Sequence, residues 1–142
     1  MSDIPDHWQV RRLAGALGAE VHGPDISNAS PEDIEAIKSI LLEHMVIFLP
    51  DQSPTAEAHI SFGRHFGDLE GHPNLSSDTS LPPELFQLQA SEGGVADEWH
   101  TDLTFQEQPA LMSILHMVEC PDTGGDTLWT SLYAAYDELS DP

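Results

Sequence analysis

The apolar positions of this chain come in short groups broken by Gly, Pro and acidic residues, and the spacing within each group selects an element. "ALGAEVHGPDIS", 16–27, mixes apolar pairs with Gly and Pro and predicts short strands and turns. A helix follows. Ser30 is placed as its N-cap, Pro31 takes the first helical position, Asp33 stands three residues after the cap, and Ile34, Ile37, Leu41 and Leu42 are expected on one face. "MVIFL", 45–49, is a continuous apolar run ended by Pro50 and predicts a buried strand. "SPTAEAHISFGRHFG", 53–67, predicts a second helix, capped by Thr55, with Phe62 and Phe66 at i, i+4 and Gly67 at its stop.

Polar and turn-forming residues dominate 68–83, a predicted loop. "FQLQA", 86–90, and "ALMSILHMVE", 110–119, predict strands. "PDTGGDTLW", 121–129, predicts a turn leading into a strand. "TSLYAAYDEL", 130–139, predicts a closing helix with Leu132, Ala135, Tyr136 and Leu139 on its apolar side. Two helices followed by several short strands argue for an α+β, mainly β domain. No repeat, low-complexity tract or Gly/Ser/Pro-rich linker divides it, so residues 1–142 are expected to form a single domain. The late strands have no return partners in sequence, and about half a sheet is expected.

Composition narrows the partners. Four Lys and Arg against 25 Asp and Glu give a formal charge of −21, which repels phosphate backbones and anionic lipid and removes nucleic acid and membrane surfaces as expected partners. Arg11, Arg12, Lys38 and Arg64 are the permanent cations, a scarcity that any anionic ligand must overcome. The single cysteine, Cys120, permits no internal disulfide and is expected as a small buried hydrophobe in a reducing compartment. No basic-then-apolar N-terminal pattern and no membrane-length apolar run occurs, so a soluble, cytoplasmic protein is the expectation.

"EWHTDLTF", 98–105, is where chemistry enters. On an extended strand His100 and Asp102, one residue apart, project from the same face and can converge on one ion. Two histidines and a carboxylate around open positions suit non-haem Fe(II) and O2 activation, and His-x-Asp supplies two of those three ligands. A loop histidine beside a surface aspartate is the competing reading of the pair alone.

The blocks W-H-T-D-L-T-F, T-G-G-D-T-L-W-T-S and the following A-A-Y, in that order and spacing, resemble the Fe(II)- and 2-oxoglutarate-dependent taurine dioxygenase family, which includes alkylsulfate and aryloxyalkanoate dioxygenases. The likeness extends to "LGAEVHGPDIS", "LLEHMVIFLPDQ" and "FGRHFGDLEGHP", and so to nearly the whole chain. The resemblance implies a double-stranded β-helix (jelly roll) with flanking helices. It assigns His100 and Asp102 as iron ligands. Thr127 falls at the position that helps hold 2-oxoglutarate, delivered by a turn through Gly124 and Gly125. The residue reading of Thr127 is a β-branched strand position.

His72 matches a histidine that contacts the substrate's anionic head, against a loop histidine without a role; Phe105 matches a pocket-wall aromatic, against ordinary core. Trp99 and Trp129 are expected to pack and fix strand positions. His7, His22, His44, His59, His65 and His116 match no ligand position and are expected at the surface or in structural roles. Leu75 and Ala96 stand where the taurine enzyme carries an aromatic hydroxyl and an amide, so a larger or more apolar sulfonate, a sulfate ester or a carboxylate fits at least as well as taurine.

The resemblance also implies a third iron ligand, a histidine, and a 2-oxoglutarate arginine near a far C-terminus. No Lys, Arg or His follows Thr127. The expectation is an N-terminal half, inactive alone, of an enzyme that uses Fe(II), 2-oxoglutarate and O2 on a small anionic substrate. The alternatives are a truncated, non-catalytic product, or half of a split enzyme acting as a binding partner. The macromolecular partners left open are a second copy of the chain and a separately encoded C-terminal half.

Overall fold

The computed structural model describes residues 4–71, 81, 82, 84–88 and 98–140. They fall into two compact units, Met1–Ser53 with Val118–Pro142, and Pro54–Met117, each described by itself.

The first unit is built on a three-stranded sheet. β1 (Gln9–Arg12) pairs antiparallel with β2 (Ala19–His22), Gln9 opposite His22 and Arg12 opposite Ala19; β2 pairs parallel with β3 (Ile47–Phe48), Ala19 opposite Ile47. A parallel pair needs a crossover, and helix α1 (Pro31–His44) supplies it. Pleating sorts β2: Ala19 and Val21 are buried, whereas Glu20 points outward and binds Arg11 at 2.9 Å and His22 at 2.7 Å. These two partners, the His22 hydrogen bond first, hold the Glu20 carboxyl below its ordinary range.

The N-terminus of α1 is the expected one. Ser30 Oγ accepts from the Asp33 N–H at 3.1 Å, and Asp33 Oδ2 accepts from the Ser30 N–H at 2.9 Å, a closed capping box. Ile34, Ile37 and Ile40 form its buried stripe with Ala36 and His44, and Trp8, Val21 and Ile26 complete the core. Leu42, expected on this stripe, is 84% exposed. At 100° per residue it falls on the side opposite Ile37 and Ile40, and the run of Ile34, Ile37, Ile40 and His44 sets the face instead. The strand expected over 45–49 contracts to Ile47–Phe48, and Phe48 is exposed.

Two loops are fixed by single residues. Gly23 has φ +119, and a β-carbon there would stand 2.5 Å from Trp8 Cδ1, so the turn after β2 admits Trp8 only over a glycine. Gln52 donates to the carbonyls of Pro24 and Pro50, each at 3.0 Å, and accepts the Ile26 N–H at 3.0 Å, clamping the segment after β2 to the segment after β3. Helix α3 (Leu132–Asp137) starts at Ser131, whose Oγ accepts from the Ala134 N–H and lies 3.5 Å from Met45 Sδ. Its expected apolar face does not pack: Leu132, Tyr136 and Leu139 are exposed.

The second unit carries helix α2 (Ala56–Gly63), capped by Thr55, whose Oγ1 accepts from the Ala58 N–H at 3.2 Å. Phe62 is buried and meets Phe66 edge-on at 5.2 Å. Gly63 sits beneath Leu69 and Ile114.

Among the described residues the strands are of 4, 4 and 2 residues and the helices of 14, 8 and 6, so the mainly β character expected is not reached there. Residues 86–88 and 110–119 take no ladder position, nor do 127–130; 89 and 90 lie outside the described residues. A strand exists by pairing, and among the described residues 111–117 alternates in burial without a ladder partner: Met112, Ile114 and His116 are half-buried while Leu111, Leu115 and Met117 face solvent.

Candidate metal centre

His100 and Asp102 lie on a bend, not on the strand expected. Leu103 takes φ +53, the Gln106 N–H donates to the Leu103 carbonyl at 2.9 Å, and the Thr101 and Thr104 hydroxyls bond each other at 2.5 Å across the turn. The bend achieves what a pleat would have. His100 Nε2 stands 3.4 Å from Asp102 Oδ1, both side chains open to solvent at 56% and 63% exposure.

The state of the imidazole follows from its other nitrogen. His100 Nδ1 lies 2.8 Å from the Glu98 carbonyl, which can only accept, so Nδ1 carries a proton and Nε2 is the nitrogen that faces the carboxylate. With no proton on Nε2 two acceptors face each other, at a separation beyond an ordinary N–H···O bond. A cation between them, or a second proton on the ring, removes the conflict. Adjacent donors on a metal with bonds of about 2.1 Å lie roughly 3 Å apart, close to the distance here. A ring N–H given to a backbone carbonyl is also the usual support of a metal-binding histidine. The pair fits two ligands of a divalent ion. Among the described residues no group of three His, Cys, Asp or Glu side chains gathers to complete a site.

Sequence reasoning missed the neighbour of the other carboxylate oxygen. Ser113 Oγ donates to Asp102 Oδ2 at 3.2 Å, from eleven residues downstream. The signal was a lone hydroxyl within the apolar run "ALMSILHMVE". The following residue is fixed too: His59 Nε2 donates to the Ile114 carbonyl at 3.2 Å, and the rings of His59 and His116 meet edge-on at 6.2 Å. Burial pushes the His59 imidazole below its ordinary pKa, against the Ile114 carbonyl, which raises it, and with help from His116.

The other expected residues are dispersed. Phe105 shares the bend but is 74% exposed and lines no wall among the described residues. Thr127, exposed, belongs to the first unit, after Gly124 and Gly125 at φ +80 and +73, consecutive left-handed positions that glycine takes without strain. His72, with Leu75 and Ala96, lies outside the described residues. Trp99 and Trp129, expected to pack, are both exposed, and so is Cys120, whose Sγ lies 3.6 Å from the adjacent Pro121 carbonyl. Of the histidines without a ligand role, His44 is buried at the end of α1 and His59 is tied as above.

The four permanent cations are engaged. Arg11 pairs with Glu20 and Lys38 with Glu35 at 2.9 Å each, Arg64 with Glu84 at 3.6 Å, and Arg12 donates to the Gly15 carbonyl at 3.1 Å. Among the described residues no helix is long and apolar enough to cross a membrane.

Residues 9–142 match the family model described as taurine catabolism dioxygenase TauD, TfdA family. The chain belongs to the TauD/TfdA family. Within it, the chain is 37% identical over 138 residues to an alpha-ketoglutarate-dependent sulfate ester dioxygenase of Pseudomonas putida, covering 94% of this chain and 44% of that protein. It is 34% identical over 133 residues to an alkylsulfatase of Acinetobacter baylyi, covering 92% and 42%. Among solved TauD/TfdA structures, a taurine dioxygenase from Burkholderia xenovorans superposes with a TM-score of 0.77 at 36% identity, covering 94% of this chain and 48% of that one. The chain thus spans less than half the length of these relatives, and the sequence resemblance to the family holds over nearly all of it.

Proposed function

We propose that residues 1–142 are the iron-binding portion, as one incomplete domain of a double-stranded β-helix, of an Fe(II)- and 2-oxoglutarate-dependent dioxygenase that hydroxylates a small anionic substrate. A sulfonate, a sulfate ester or a carboxylate meets that description, and cytoplasmic placement accords with the single cysteine. The observation that carries the reading is the convergence of His100 Nε2 and Asp102 Oδ1 at 3.4 Å, with His100 Nδ1 given to a carbonyl, in a TauD/TfdA chain.

In this reading His100 and Asp102 hold Fe(II), and Thr127 donates its hydroxyl to a 2-oxoglutarate carboxylate beside the Gly124–Gly125 turn. His72 meets the substrate anion and Phe105 its apolar part. The bound group supplies O2-dependent oxidation coupled to loss of CO2 from 2-oxoglutarate, leaving succinate. His100 contributes a fixed tautomer, and Asp102 a charge that offsets the cation. The remaining ligand and the cosubstrate's cation come from outside 1–142, on a separately encoded C-terminal half or on further chain. Among the described residues Leu111, Leu115 and Met117, and Leu132 and Tyr136 of α3, are apolar and exposed, surfaces that such further protein would cover.

Anaerobic Fe(II) binding to the purified chain tests the reading. His100→Ala and Asp102→Ala are each expected to weaken binding by about tenfold or more, with unchanged circular dichroism. The chain alone is expected to form no substrate-coupled succinate. Affinities equal to the parent chain in both variants overturn the metal assignment, and coupled turnover by pure 1–142 overturns the assignment as a portion.

A further inference from the structure

The two oxygens of Asp102 have different surroundings. Oδ1 faces His100 Nε2 at 3.4 Å, and Oδ2 accepts the Ser113 hydroxyl at 3.2 Å. An exposed carboxylate rotates and can offer one oxygen or both to a cation; a hydroxyl on one oxygen sets the plane and leaves the other to lead. Ser113 is itself held in place. The Ile114 carbonyl beside it accepts the His59 Nε2–H from α2, and Ile114 Cδ1 covers Gly63 on the same helix. Helix α2 therefore holds the chain at residue 114, and from the adjacent position the Ser113 hydroxyl reaches Asp102 Oδ2 and orients the carboxylate.

We propose that Ser113 is a positioning residue of the metal centre, holding Asp102 Oδ2 so that Oδ1 and His100 Nε2 are presented together to a single divalent cation. The proposal rests on the reading of His100 and Asp102 as metal ligands. Asp102 is largely solvated, so loss of the hydroxyl removes orientation and leaves little desolvation to recover; water replaces the bond without its direction.

The experiment is a Co(II) titration of purified 1–142 at fixed ionic strength, following both affinity and the visible absorption of the bound ion. The parent chain is compared with Ser113→Ala, Ser113→Thr and His100→Ala, and the metal-free melting of each reports its fold. Ser113→Ala is expected to bind about tenfold more weakly with an altered absorption band and unchanged melting. Ser113→Thr, which keeps the hydroxyl on an extended segment, is expected to restore both. His100→Ala is expected to lose the band. If Ser113→Ala matches the parent while His100→Ala does not, Ser113 has no positioning role and the metal reading stands. Failure of Ser113→Thr to restore what Ser113→Ala loses likewise overturns the role of the hydroxyl. If His100→Ala also matches the parent, the metal reading fails and the proposal fails with it.

Discussion

Gly23 shows how one residue without a side chain controls the first unit. Its φ of +119 and the Trp8 ring 2.5 Å from where a β-carbon would stand make two separate demands, one on the backbone and one on space. Gly23→Ala violates both and is expected to destabilise the chain by about 1–3 kcal/mol in chemical denaturation. Gly15→Ala is the control, since a methyl there meets nothing within 4 Å and the φ is ordinary, and it is expected to change stability little. Equal losses in the two variants would remove the Trp8 contact as the cause. Gly23 was visible in the sequence only as a turn residue before Pro24; the ring that forbids a substituent lies fifteen residues away, beyond the reach of local pattern. His100 and Asp102 differ, because their spacing of two is itself local, and it survived the exchange of a strand for a bend.

At the scale of elements, helix signals carried furthest. Ser30, Asp33 and Thr55 act within one turn, and the caps stand where the sequence put them. Strands depend on partners far along the chain, so 110–119, expected as strand, takes no ladder position among the described residues. What holds this segment instead is His59 on α2, and that makes its docking sensitive to acid. Burial lowers the His59 pKa from 6.5 in the folded chain, so the unfolded chain takes up the proton first as pH falls. The neutral ring's contribution is complete above about pH 6.5 and is lost as pH drops through the lowered folded-state value. Comparing denaturation at successive pH values below 6.5, the parent chain is expected to lose stability that His59→Gln, which keeps a donor for the Ile114 carbonyl, does not lose. Identical pH slopes in the two proteins would show that His59 is not the group responsible.

Across the whole molecule, the family was legible because its blocks are local runs of residues, whereas the exposure of Phe105, Trp99 and Trp129 was not, since burial belongs to whatever faces a side chain. The charge of −21 is likewise a property of the total. Three of the four permanent cations are ion-paired and the fourth is bound to a carbonyl, so an arriving ligand meets a field that little on the described surface relieves. That field sorts ligands by sign before any contact is made. It favours the approach of cations over that of anions, and at about 0.15 M salt it fades over roughly 8 Å. Added salt is therefore expected to slow cation capture and to hasten anion capture by the same chain, opposite slopes measurable by stopped flow with Co(II) and, on the proposed reading of the substrate, with an alkyl sulfate. Slopes of the same sign would mean that local groups, and not the overall charge, govern approach; opposite slopes would make ionic strength a means of choosing which ligand arrives first.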